Sequence, residues 1–209
     1  MTDRPEVQRI TLPEGRLINH SLFQRDQFDP QAKPSYKVEI AFERGVLSEV
    51  EDELAAAAVG KWGAGSDTAY DNGDIITPVL DGDQLARRRE EKDKPGDAYK
   101  GMDVIRAHTI FNMHGVEGPG GVPVYAPDVA EIDVTRSQEI YGGCYGCAGV
   151  TIGTYDDNRG NHALMFYLLA FQKTRDGDPL ISARDHSELF KPVGRDQEGS
   201  TGGRRRRKG

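Results

Sequence analysis

The sequence predicts a mainly β, loop-rich fold, and three observations predict it. Two β-rich runs, Cys147–Tyr155 and Ala163–Thr174, flank the polar stretch Asp156–Asn161. Asn, Asp and Gly tolerate the backbone angles that reverse a chain, so the pair reads as a long hairpin. Ser35–Phe42 gives the cleanest alternation in the chain: Tyr36, Val38, Ile40 and Phe42 share one face, and Ser35, Lys37, Glu39 and Ala41 the other. That is the pattern of a strand with one wet face. Finally, 25 Gly and 11 Pro in 209 residues supply the turns that many short strands need.

Taken in order, residues 1–9 are polar and read as a flexible N-terminus, 10–193 as the folded domain and 194–209 as a disordered basic tail of Gly, Ser and charge. Gly15–His20 alternates enough for a strand, and a polar loop from Gln24 to Pro34 leads into Ser35–Phe42. One helix follows. Ser48 with Glu51 three residues on matches a capping box, and the alanine run has high helix propensity. Val50, Leu54 and Ala57 or Ala58 fall on one stripe, with Gly60 and Gly63 bracketing the end. Gly63–Lys100 reads mostly as loop around a short strand at Ile75–Leu80. Its part Arg87–Lys100 mixes six basic with four acidic groups, the composition of a solvated excursion. Met102–Phe111 alternates weakly as a further strand, His114–Pro123 is a loop, Val124–Val134 is ambiguous and Leu180–Pro192 reads as a short return segment. Within the hairpin, Ala163–Phe171 is apolar at every position, which predicts a strand covered on both faces.

Composition excludes several classes of function. No apolar run approaches the roughly 18 residues that span a bilayer, and the first ten residues lack the basic-then-apolar pattern of a signal peptide. Two cysteines make no disulfide framework, which agrees with a reducing, intracellular compartment. The net charge of −7 includes five positive charges at Arg204–Lys208, so the rest of the chain carries −12. So acidic a body does not coat nucleic acid by bulk charge; such binding needs a local groove and stacking surfaces.

Cys144-Tyr145-Gly146-Cys147 is the one motif with reactive groups. A redox pair opens a helix, whereas Ala148–Gly153 continues as a strand; a zinc site needs two more ligands, and His20, His108, His114, His162 and His186 are scattered. The cysteines therefore read as small packing groups, with no metal, cofactor or catalytic residue assigned. Acidic groups at Asp71–Asp74, Asp81–Asp83 and Asp156–Asp157 sit beside Gly or Asn and read as turns. What remains is a set of cations and rings: Lys33, Tyr36 and Lys37 at the alternating strand, Lys61 and Trp62 at the helix end, Arg106 on the next strand, and Tyr145, Tyr155 and Arg159 in the hairpin. Rings stack on bases while Lys and Arg neutralise phosphates. Packing in the core or rim is the competing explanation for each ring, and helix docking for Trp62.

Several stretches together resemble a family of bacteriophage single-stranded-DNA-binding proteins: GRLINHSLFQ (15–24), PSYKVEIAFERG (34–45), TPVLDGDQ (77–84), MDVIRAHT (102–109) and, above all, Glu139–Leu180 with its Tyr-x-Gly-Cys-Tyr lead into a hairpin. The resemblance implies an OB-fold five-stranded barrel with long loop insertions. It implies sequence-independent binding of single-stranded DNA in phage replication or recombination, without catalysis, in the cytoplasm of the infected host cell. Phage replication or recombination proteins are the other partners it implies, and a homo-oligomer on the strand is left open. Many such proteins end in an acidic tail; here Arg204, Arg205, Arg206 and Arg207 carry the opposite sign, which predicts an added phosphate contact. The alternatives are a non-catalytic β-rich assembly or partner-binding protein, and a thiol or metal enzyme centred on Cys144 and Cys147.

Overall fold

The computed structural model of the chain describes residues 9–27, 33–157 and 159–180. Its centre is a ring of five strands: β2 (Gly15–His20) pairs with β3 (Tyr36–Glu43), β3 with β5 (Met102–Thr109), β5 with β8 (His162–Arg175), β8 with β7 (Tyr145–Asp156), and β7 returns to β2. Every joint of the ring is antiparallel except β5–β8. This is the closed OB-type barrel that the resemblance implies. Three short strands extend it: β1 (Arg9–Thr11) lies beside β7, β4 (Val79–Asp81) beside β5, and β6 (Val124–Tyr125) beside β8.

The local sequence explains most of the ring. In β3, Tyr36, Val38, Ile40 and Phe42 are all buried, and they meet Leu17, Ile105, Ala107, Val150, Phe166 and Phe171 in one core. Each such side chain contributes about 1.5–3 kcal/mol on leaving water. The β7–β8 register runs from Tyr145↔Arg175 to Asp156↔His162. At its turn the Asp157 carboxylate accepts from the backbone N–H groups of Arg159 and Asn161, so one short polar side chain closes the reversal. The helix α1 (Ser48–Trp62) buries Val50, Leu54 and Ala58 against the same core, on the stripe that the spacing predicts.

Four expectations need correction. The capping box does not form: Leu47 is the N-cap residue of α1, without a side-chain hydrogen bond, and its own burial sets the helix entry. The stretch read as loop holds two more helices, α2 (Ser66–Asp71) and α3 (Gly82–Glu90), so the insertion carries three helices rather than one. Asp81 caps α3 by accepting from the N–H groups of Asp83 and Gln84. Leu85 and Ala86 then pack on Ala41, Tyr99 and Val104, outside the barrel. The charged run thus begins as an ordered helix, and its strand is only Val79–Asp81. Finally, β8 is not covered on both faces. Phe166, Leu168 and Phe171 point inward, while Tyr167 and Leu169 stand exposed on the outer side.

Residues 1–8 and the segment from 181 onward, including most of the return segment and the basic tail, lie outside the described residues. Among the described residues no helix is long and apolar enough to cross a membrane.

Candidate nucleic-acid interface

The outer face of the barrel follows from register. In a sheet, directly paired residues point the same way, so Lys37 lies beside His108, Glu39 beside Arg106, His108 beside Tyr167, and Tyr167 beside Thr151. The His108 and Tyr167 rings are 6.5 Å apart between centroids and tilted by 54°. Tyr167 needs space on β7, and Gly153 provides it: a β-carbon there would collide with the tyrosine ring. The loop after β5 brings Phe111 and Met113 over the same face. Asn112 fixes this loop, its amide oxygen accepting from the N–H of His114 at 2.9 Å and its NH2 donating to the Pro119 carbonyl at 2.7 Å.

The result is an open cleft of about 750 Å3 lined by His108, Phe111, Met113, Met165, Tyr167 and Leu169, among other residues. Phe111 is 48% and Tyr167 43% exposed, high values for large apolar groups with an ordered backbone. Burial pushes the His108 imidazole below its ordinary pKa, so at neutral pH it offers an uncharged ring rather than a cation. Flat rings over an apolar floor suit stacking of planar groups.

Cations stand beside the cleft, each held by a carboxylate. Arg106 donates from Nε (2.9 Å) and Nη2 (2.7 Å) to Glu39 Oε1. Lys37 donates to Asp26, and Lys33 to Glu117 at 3.1 Å. Glu117 belongs to the loop that carries Phe111, since the two residues form a β-bridge. The structure therefore brings together the cations read from the sequence at 33, 37 and 106.

The rings read from the sequence fare differently. Tyr36 must be corrected: it is wholly buried, and its hydroxyl donates to the Gly118 carbonyl (2.8 Å) and accepts from the Gly121 N–H (3.1 Å), pinning the loop after β5. Trp62 stacks on His162 at 4.5 Å and donates to Asp156 at 2.9 Å, which docks the end of α1 onto the hairpin. Hydrogen bonds from His162 and Trp62 hold the Asp156 carboxyl below its ordinary range. The Arg175 guanidinium covers the Tyr145 ring at 3.4 Å, and Arg175 is itself tied to Glu14. Stacking on a base is closed to Tyr36, and Trp62 and Tyr145 each have a ring face already occupied. Tyr155 differs: it is exposed on the cleft side of β7, toward the turn that holds Arg159, and Lys61 is exposed at the end of α1. Arg204, Arg205, Arg206 and Arg207 lie outside the described residues.

The cleft residues escaped the sequence reading, His108, Phe111, Met113, Met165, Tyr167 and Leu169 alike. Tyr167 sits within an unbroken apolar run, where alternation gives no clue to its facing. The available signal is Gly153, diagonally across from Tyr167 on β7, where only a glycine leaves room for the ring; the β7–β8 register is needed to see it. The cysteines stay apart from this face. Cys144 is buried and Cys147 half-buried, both free, and burial pushes both thiols up, away from the reactive thiolate. Among the described residues no three His, Cys, Asp or Glu side chains are grouped to hold a metal ion.

Solved structures share this fold. The single-stranded DNA-binding protein from bacteriophage Enc34 in complex with ssDNA superposes with a TM-score of 0.60 at 17% identity, covering 82% of this chain and 89% of that one. A second structure of the single-stranded DNA-binding protein from bacteriophage Enc34 gives 0.58 at 18%, with 86% and 88% covered. Gp2.5, a single-stranded DNA binding protein encoded by bacteriophage T7, gives 0.57 at 12%, with 92% and 100% covered. No curated protein matches the chain by sequence. The family described as Enterobacter phage Enc34, ssDNA-binding protein, matches residues 9–200, nearly the whole length, and the chain with its ring-lined cleft belongs to that family.

Proposed function

We propose that the chain binds single-stranded DNA, without reading its base sequence, along the outer face of β3, β5, β8 and β7. The observation that carries this reading is the open cleft with Tyr167, Phe111 and His108 at its surface and Lys37 and Arg106 alongside. Unpaired bases present flat faces to such rings; a duplex hides those faces in its own stack. The acidic remainder of the chain repels duplex phosphates at range, which sharpens the preference. Lys33, Lys37 and Arg106 serve the phosphates, and Tyr155, Lys61 and Arg159 extend the path toward the hairpin turn. Arg204–Arg207 add a contact that carries no sequence information. The role is protection and unfolding of single strands in phage replication or recombination, in the host cytoplasm and without catalysis.

Titration with oligo-dT, read by tyrosine fluorescence and challenged with duplex, tests this. Wild type binds the single strand, and duplex competes poorly. Tyr167→Ala weakens binding by about 1–3 kcal/mol, the usual loss of one stacked base, while its melting temperature stays close to wild type. Equal affinity for duplex, or no effect of Tyr167→Ala, would sink the proposal.

A further inference from the structure

Each cation beside the cleft already holds a carboxylate. Lys33 holds Glu117, Lys37 holds Asp26 and Arg106 holds Glu39. The three acids differ in their settings. Glu39 is largely buried and also accepts from the Tyr99 hydroxyl, so it belongs to the framework. Asp26 and Glu117 are about half exposed, and their backbones are fixed independently by the bridges Asp26↔Ser35 and Phe111↔Glu117. Their carboxylates can leave without disturbing the fold. A carboxylate and a phosphate present the same anionic oxygens to an ammonium group.

We propose that Asp26 and Glu117 occupy the phosphate positions of Lys37 and Lys33, so that DNA binding is an exchange of internal carboxylates for backbone phosphates. The inference rests on the cleft being the DNA-binding surface. Two consequences follow. Exposed ion pairs are weak, so the exchange lowers affinity only modestly and the site opens readily. Added salt loosens the internal pairs as well as the DNA contacts, so the fall of affinity with salt is shallower than the number of phosphates implies. The two acids thereby favour ligands that offer base stacking as well as charge, because a bare polyanion gains little from the exchange.

The test uses the full chain in three forms: wild type, Asp26→Asn with Glu117→Gln, and Glu49→Gln with Asp52→Asn, which removes the same charge from the exposed face of α1. At low salt the first pair of substitutions tightens oligo-dT binding by about 2- to 30-fold, two exposed ion pairs' worth. It also steepens the dependence on salt by up to about 0.7 per contact, the single-strand value. Adding Lys37→Gln reverses much of the gain. The α1 control moves affinity far less and leaves the slope unchanged. Matching shifts in the two double variants, with Tyr167→Ala still weakening wild type, would overturn the exchange and leave the binding site in place. If Tyr167→Ala binds as wild type does, the site reading fails and the exchange fails with it.

Discussion

Two regions of the long hairpin use aromatic rings in opposite ways. Near its ends, Tyr145 lies under Arg175, and Trp62 from α1 lies against His162. Midway along β8, Tyr167 lies over a glycine with an exposed face turned to solvent. All three are rings on or against the same two strands. What separates them is the neighbour: an arginine or histidine takes one ring face, whereas Gly153 seats the ring and takes nothing from its other side. Ring identity alone does not make a stacking platform. An unclaimed face does.

The contrast can be broken or sharpened by substitution. The largest effect is expected at the most deeply engaged ring: Tyr36→Ala should cost about 3–5 kcal/mol of stability in urea unfolding, through a core cavity and a released loop. If Tyr36→Ala folds normally and loses only DNA affinity, its assignment to the core is wrong. Trp62→Ala should cost about 1–2 kcal/mol, for one aromatic pair and partial burial, while oligo-dT affinity stays within about twofold. A large loss of binding with unchanged stability would return Trp62 to the DNA path.

The smallest effect concerns pH. The His20 ring is pushed below its ordinary pKa by burial, with a weaker opposing effect from its hydrogen bond to the Ile140 carbonyl. That carbonyl only accepts, so Nε2 carries the proton in the neutral ring; Nδ1 is buried without a partner among the described residues. The unfolded histidine titrates near about 6.5. Below that value the unfolded chain takes a proton that the folded chain refuses, so stability falls as pH drops from about 6.5 toward the lower folded value. His108 acts in the same direction. Melting temperature should therefore be lower at pH 5.5 than at pH 7.5, and His20→Gln should reduce the difference. An unchanged difference would assign the pH response elsewhere. The carboxylates held low, such as Asp26 and Asp156, lose their contribution only at more acidic pH, so the two windows separate.

How much of this was legible depends on how local the signal is. Gly15–His20 and Ser35–Phe42 declare their strands by alternation, and Asp156–Asn161 declares its turn by residue type. The helix α3 escaped because only Leu85 and Ala86 anchor it among charges; its real start signal is the capping side chain of Asp81, which reads equally well as a turn. Lys37 could be placed on a wet face because alternation assigns faces within Ser35–Phe42, whereas Lys33 precedes that strand and Arg106 lies in a run that alternates only weakly. The cleft could not, since it is made by β5 meeting β8 across 59 residues of sequence at His108↔Tyr167. No periodicity within either strand records which residue of the other stands beside it. For Tyr36 the alternation of its strand is the stronger signal than its ring chemistry, and the packing buries it.

The barrel is closed by partners far apart in sequence: β2 meets β7 at Gly15↔Gly146, and the cleft wall is β8, the last strand among the described residues. A nascent chain released before about residue 175 therefore has neither a sealed core nor the β8 wall of the cleft. Copies that end before β8 are expected to be inert toward DNA rather than weak competitors for it, as oligo-dT titration of such copies would check.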